Sequence, residues 1–155
     1  MSLSKDSKAY KIILLAGAIA GVLDITAAAV TTILRDRPPV RMLQSIASGL
    51  LGSNSYNGGL KTAALGLLLH FIIATGWAAI FYAVSRKVGF LVRQPIISGL
   101  LYGILVFCVM NLVVLPLSAF PHKVTFPLSN TIIGVTVIIF CVGLPIALIV
   151  RRFSQ

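Results

Sequence analysis

One carboxylate in this chain stands where carboxylates are rarely tolerated. Asp24, one of three acidic residues against thirteen lysines and arginines, falls inside an otherwise uncharged stretch from Ile12 to Leu34. An ionisable side chain at bilayer depth normally faces a protein interior, a polar cavity or a partner rather than lipid, and so marks a candidate site. His70 and Asn111 sit in comparably apolar surroundings, and Thr136 is a further candidate. A carboxyl beside an imidazole can share a proton with it or hold a ligand by hydrogen bonds. The pair alone falls short of the donor set that zinc takes from a protein, at least about three side chains. His122, the other histidine, lies in a connection next to Lys123, which leaves no second imidazole at depth for a haem. Cys108 and Cys141 lie in apolar stretches without CxxC or metal spacing, so they are expected to pack as small hydrophobes. Neither an HExxH helix nor a Gly-x-Ser-x-Gly turn occurs. These residues point to binding more than to catalysis, with no metal or cofactor implied.

The elements that must position them follow from composition. Hydrophobic residues make up 58% of the chain and its mean hydropathy is +1.03, beyond a soluble domain with about half its residues apolar and about a quarter charged. Apolar stretches at 12–34, 62–85, 95–117 and 128–150 each exceed twenty residues. At about 1.5 Å per residue each crosses a hydrocarbon layer of about 30 Å. The expected fold is an all-α membrane protein, a four-transmembrane-helix bundle forming one domain over residues 1–155. Barrel strands would be about ten residues long and alternate strictly, which these stretches do not. Lys5, Lys8 and Lys11 ahead of the first stretch resemble the start of a cleavable leader. The apolar core of a leader is only about 7–15 residues long, so a retained helix is expected.

Steps of three and four residues return to one side of a helix and so define faces. From Asp24 they reach Gly17, Gly21, Ala28 and Thr31; from His70, Ala63, Gly66, Ala74 and Trp77; from Asn111, Phe107, Gly103 and Gly99. Small residues on these faces let membrane helices approach closely, which makes Gly17, Gly21, Gly66, Gly99 and Gly103 the expected packing positions. Counted from each span's midpoint, Asp24 lies roughly 2 Å, His70 roughly 5 Å and Asn111 roughly 7 Å toward the outer side. A polar cluster of Asp24, His70 and Asn111 is therefore expected in the outer half of the bundle. Thr136 falls at similar depth, in competition with a stripe of Asn130, Gly134, Cys141 and Pro145. Pro116 and Pro145 should kink spans three and four, since each removes a backbone hydrogen bond to the carbonyl four residues earlier.

Eight lysines and arginines flank the end that carries both termini and five the other, which places the termini in the cytoplasm under the positive-inside rule. The net charge of +10 thus lies at membrane borders. It favours contact with anionic lipid head groups over nucleic acid, which would need a basic face on a soluble element. In the first external connection, Pro38-Pro39 precede Val40, Leu43, Ile46, Ala47 and Leu50 at helical spacing. A short amphipathic helix over about 39–51 is expected there, lying at the interface where it could cap the bundle.

The strings Gln44 to Gly52, Thr62 to His70 and Val109 to Ser118 resemble those of small bacterial inner-membrane proteins with four helices and no assigned function. The resemblance implies a bacterial inner membrane and says nothing of chemistry. Two readings of function stay open. In the first, an intramembrane pocket with Asp24, His70, Asn111 and Thr136 as polar contacts binds or helps to move a small or lipid-like ligand. In the second, the chain is an accessory protein whose glycine faces contact a second copy or a partner membrane protein. An intramembrane enzyme is a third and weaker reading.

Overall fold

In an apolar medium a backbone can satisfy its polar groups only internally, and long runs of Leu, Ile, Ala and Val do so as helices. The computed structural model describes residues 3–123 and 125–154. Among these no strand occurs, and four helical rods are long and apolar enough to cross a membrane: Ser7–Ile33, Gly59–Ser85, Pro95–Leu117 and Leu128–Phe153. In chain order the α-helices are α1 (Leu3–Ile33), α2 (Pro39–Leu51), α3 (Gly59–Ser85), α4 (Phe90–Arg93), α5 (Pro95–Val109), α6 (Leu115–Leu117), α7 (Leu128–Ile138) and α8 (Leu144–Ser154). Span one lies in α1 and span two is α3. Span three joins α5 to α6 through a π-helical turn, Met110–Val114, and span four joins α7 to α8 through another, Ile139–Gly143.

The π turns are how the chain accommodates its membrane prolines. Leu115 N–H reaches back to Met110 O and Leu144 N–H to Ile139 O, and each proline follows one residue later. The widened turn takes up the missing donor of Pro116 or Pro145 where a simple kink was expected.

The end of α1 is a Schellman closure with an unusual residue in it. Asp36 adopts φ 54°, while Asp36 N–H bonds to Ile33 O at 2.9 Å and Arg37 N–H to Thr32 O at 3.1 Å. Glycine normally fills that left-handed position, and aspartate is among the few others that tolerate it. The closure turns the chain sharply into Pro38 and Pro39, and Pro39 opens α2.

Helix α2 occupies residues 39–51, as its periodicity predicts. It is more than an interfacial anchor, because it packs onto α3. Its Leu43 carbonyl sits against Gly66, where an added Cβ would also come within 2.8 Å of the Leu43 carbonyl carbon. Buried Gln44 donates to Gly59 O at 3.1 Å, and Thr62, next to it, donates to Ser55 O at 2.6 Å.

The expected glycines all lie at close helix contacts within the chain. A Cβ at Gly17 would fall 2.6 Å from Thr75 Cα, and one at Gly21 would fall 2.8 Å from the Phe71 ring. In span three, Gly99 and Gly103 would meet Leu144 Cα at 2.9 Å and Ile139 Cα at 2.6 Å. Gly143, which helical spacing alone did not mark, faces Gly99 and Gly103 across the same seam.

The bundle is sealed in one half. Away from α2, Ile12, Ala16, Phe81, Tyr102, Ile146 and Val150 belong to one buried cluster. The Tyr102 hydroxyl donates to Trp77 O at 2.6 Å, and its ring meets Phe81 edge-on with centroids 4.9 Å apart. We expect Tyr102→Phe to lower stability by about 0.6–1.7 kcal/mol, the range of interhelical hydrogen bonds in membranes. Unfolding of purified protein in mixed micelles measures this, and an unchanged midpoint would show that the bond contributes nothing.

Candidate functional site

The other half, beneath α2, holds the polar residues. Asp24 is carried by α1 three residues beyond Gly21, whose close contact with Phe71 and Ala74 of α3 sets how near Asp24 comes to His70; Gly66, one turn before His70 on α3, seats α2 above them. His70 Nε2 lies 2.9 Å from the Gly21 carbonyl, and its Nδ1 lies 4.0 Å from Asp24 Oδ2. The His70 side chain is 12% exposed and that of Asp24 24%.

This geometry fixes the tautomer. A carbonyl oxygen only accepts, so Nε2 carries a proton and donates it to Gly21. Nδ1 then faces the carboxyl either as a lone pair or as a second N–H. A lone pair opposing a carboxylate would be repulsive, so the pair is attractive when either Nδ1 or the carboxyl carries a proton. At 4.0 Å the two are beyond direct hydrogen-bond range, a separation across which a water or a ligand group fits.

The pair forms one wall of a cavity of about 330 Å³. Met42, Ser45 and Ile46 of α2 roof it, Trp77 and Val142 close it toward the sealed half, and Met110 and Asn111 from the π turn of span three lie opposite. Single π turns within α-helices are frequent at functional sites.

A second space of about 360 Å³ adjoins the first. Asp24, Ala28, Asn111 and Ile138 line both. This vestibule runs past Thr31 and Thr131 to Arg35, whose Nη2 donates to Asn130 Oδ1 at 2.9 Å. The Arg35–Asn130 contact was not foreseen. Arg35 reads in the sequence as a connection charge and Asn130 as part of a competing stripe, and only the helix ends meeting in space pair them.

Asn111 reaches the site only in part. It lines both spaces, but its amide Nδ2 donates to Phe107 O at 2.9 Å, one turn back on its own helix, and not to Asp24 or His70. Thr136 departs from expectation: it is exposed and lines neither space. In span four the inward row is Gly134, Ile138 and Val142, so Thr136 points outward from the bundle.

No family model, curated protein or solved structure is similar to this chain. Among the described residues no group of three or more His, Cys, Asp or Glu side chains converges to hold a metal ion.

Proposed function

We propose that the chain is a multi-pass protein of a bacterial inner membrane whose intramembrane pocket binds, or helps to move, a small or lipid-like ligand. The observation that carries this reading is the cavity of about 330 Å³ with the Asp24–His70 pair on one wall and mostly apolar residues around the rest. Ligand sites have this character, mostly apolar linings of about 300–1,000 Å³ with a few convergent polar groups. Asp24 and His70 are the polar contacts, Asn111 borders them, and α2 is the roof. The excess of basic residues on the side of the termini supports a cytoplasmic location for them, with α2 and the vestibule mouth at the outer face.

The accessory reading draws less support. Gly17, Gly21, Gly66, Gly99 and Gly103 each approach another helix of the same chain and so are not available to a subunit contact.

Thermal unfolding of the parent, Asp24→Asn and His70→Gln in maltoside micelles, screened against lipids and polar metabolites, tests the pocket. A ligand at about a hundred times its Kd raises stability by about 2.7 kcal/mol. The parent should gain several degrees with its ligand and the variants much less. If both variants kept every response of the parent, the pocket reading would fall.

A further inference from the structure

Resting on that reading, we propose that the ligand is a single-chain amphiphile with a phosphate head, admitted sideways from the leaflet on the α2 side. Three features of the open half define it. First, the cavity under α2 continues into an apolar groove of about 450 Å³, the two sharing Ser45, Ile46, Ile73, Met110 and Leu115. Leu69 and Ile73 of α3 face Met110 and Val114 of span three across this groove. The two helices meet through Tyr102 and Trp77 in the sealed half and part in the α2 half.

Second, the groove is strapped over at its aqueous end. Ala119 N–H, just beyond span three, donates to Gly49 O of α2 at 2.9 Å. Beyond that bond, the rings of Tyr56 and Phe120 lie 6.1 Å and 5.6 Å from His122, and Arg41 sits 5.7 Å above Tyr56. That closure leaves the groove open toward lipid, between α3 and span three, as the apolar route into the cavity.

Third, the polar vestibule meets the cavity at Asp24 and Asn111 and ends at Arg35. Asn130 takes one of the donors of Arg35, and among the described residues no other side chain takes the rest, which can meet an anion. Arg37, Arg41, Lys61 and Lys123 belong to the same end of the bundle, against one acid, Asp36, in its connections. A phosphate suits this end. The Asp24–His70 pair offers hydrogen-bonding groups to an uncharged hydroxyl or ester oxygen, while the nearest vestibule cation is Arg35, so the phosphate belongs farther out at Arg35 and the chain in the groove.

Trp77, the only tryptophan, lines the cavity and reports occupancy. Full-length protein in maltoside micelles is titrated with brominated-chain lysophosphatidic acid, the matching monoacylglycerol, the matching fatty amine, and glycerol phosphate as a chainless competitor. The phosphate lipid should quench Trp77 at a concentration about tenfold lower than the monoacylglycerol, the loss expected for one charge-assisted contact. Arg35→Gln should erase that difference, and Asn130→Leu, which frees Arg35 without removing it, should keep most of it.

A monoacylglycerol or amine that quenches as well as the phosphate lipid overturns the head assignment, and so does a difference that survives Arg35→Gln. Glycerol phosphate displacing the lipid at equal concentration overturns the amphiphile in favour of a free phosphate compound. Equal quenching by all chains that disappears in Asp24→Asn leaves the pocket standing without the phosphate. No quenching by any chain removes both.

Discussion

Gly66→Val unseats α2. Gly66 faces backbone and not a movable side chain: an added Cβ would touch the Leu43 carbonyl and come within 3.3 Å of Ala47 N. No rotamer change relieves such a contact, so either α2 lifts or α3 shifts, at a cost of about 1–3 kcal/mol and more where the backbone is rigid. Lifting α2 would also release the buried Gln44 and remove Met42, Ser45 and Ile46 from the cavity roof. The expected result is a lowered unfolding midpoint together with faster thiol labelling of a cysteine introduced at Ser45. Gly76 supplies the control, since a Cβ there meets nothing within 4 Å. Gly76→Ala should be neutral or stabilise by up to about 1 kcal/mol through helix propensity. Equal behaviour of the two variants would mean that α2 does not rest on α3 as described.

The second large effect lies in the Asp24–His70 pair and concerns the order of three variants. His70→Leu removes the donor to Gly21 and strands Asp24 without a partner in the cavity wall. Leaving a buried polar group unpaired costs about 1–3 kcal/mol. Asp24 keeps part of its surface exposed, so about 2 kcal/mol is the expectation once solvent screening is allowed for. Asp24→Leu should cost less, because neutral His70 keeps its bond to Gly21. The double variant should be more stable than His70→Leu alone, with a coupling of about 0.5–3 kcal/mol. Additive single effects would show that the two side chains do not act as a unit.

Much of this arrangement is legible in the chain before any coordinates. Apolar length alone places the four spans, and the amphipathic period places α2 at residues 39–51. Depth counted along antiparallel helices brings Asp24 and His70 together, because rise per residue is nearly constant in any helix. What escapes that arithmetic is the phase of spans three and four. Gly134, Ile138, Val142, Ile146 and Val150 form a row spaced by fours, which an ideal α-helix would rotate by about 40° per step. The π turn at Ile139–Gly143 widens the helix and keeps the later members of that row buried. Thr136 lies off the row and faces outward. Proline announces a disturbance at Pro116 and Pro145, but whether it resolves as a kink or a wide turn depends on the seam formed by Gly99, Gly103 and Gly143. Depth and face place Asn111 in the cluster, but its amide bonds instead to Phe107 O one turn back on its own helix.

The most direct test is nitrogen-15 magic-angle-spinning spectroscopy of the full chain in lipid, with His122→Asn leaving His70 as the single imidazole. The account predicts a protonated Nε2 and a through-space correlation between Nδ1 of His70 and the side-chain carboxyl carbon of Asp24. A neutral imidazole protonated only at Nδ1, or a His70 ring with no correlation to Asp24, would contradict it.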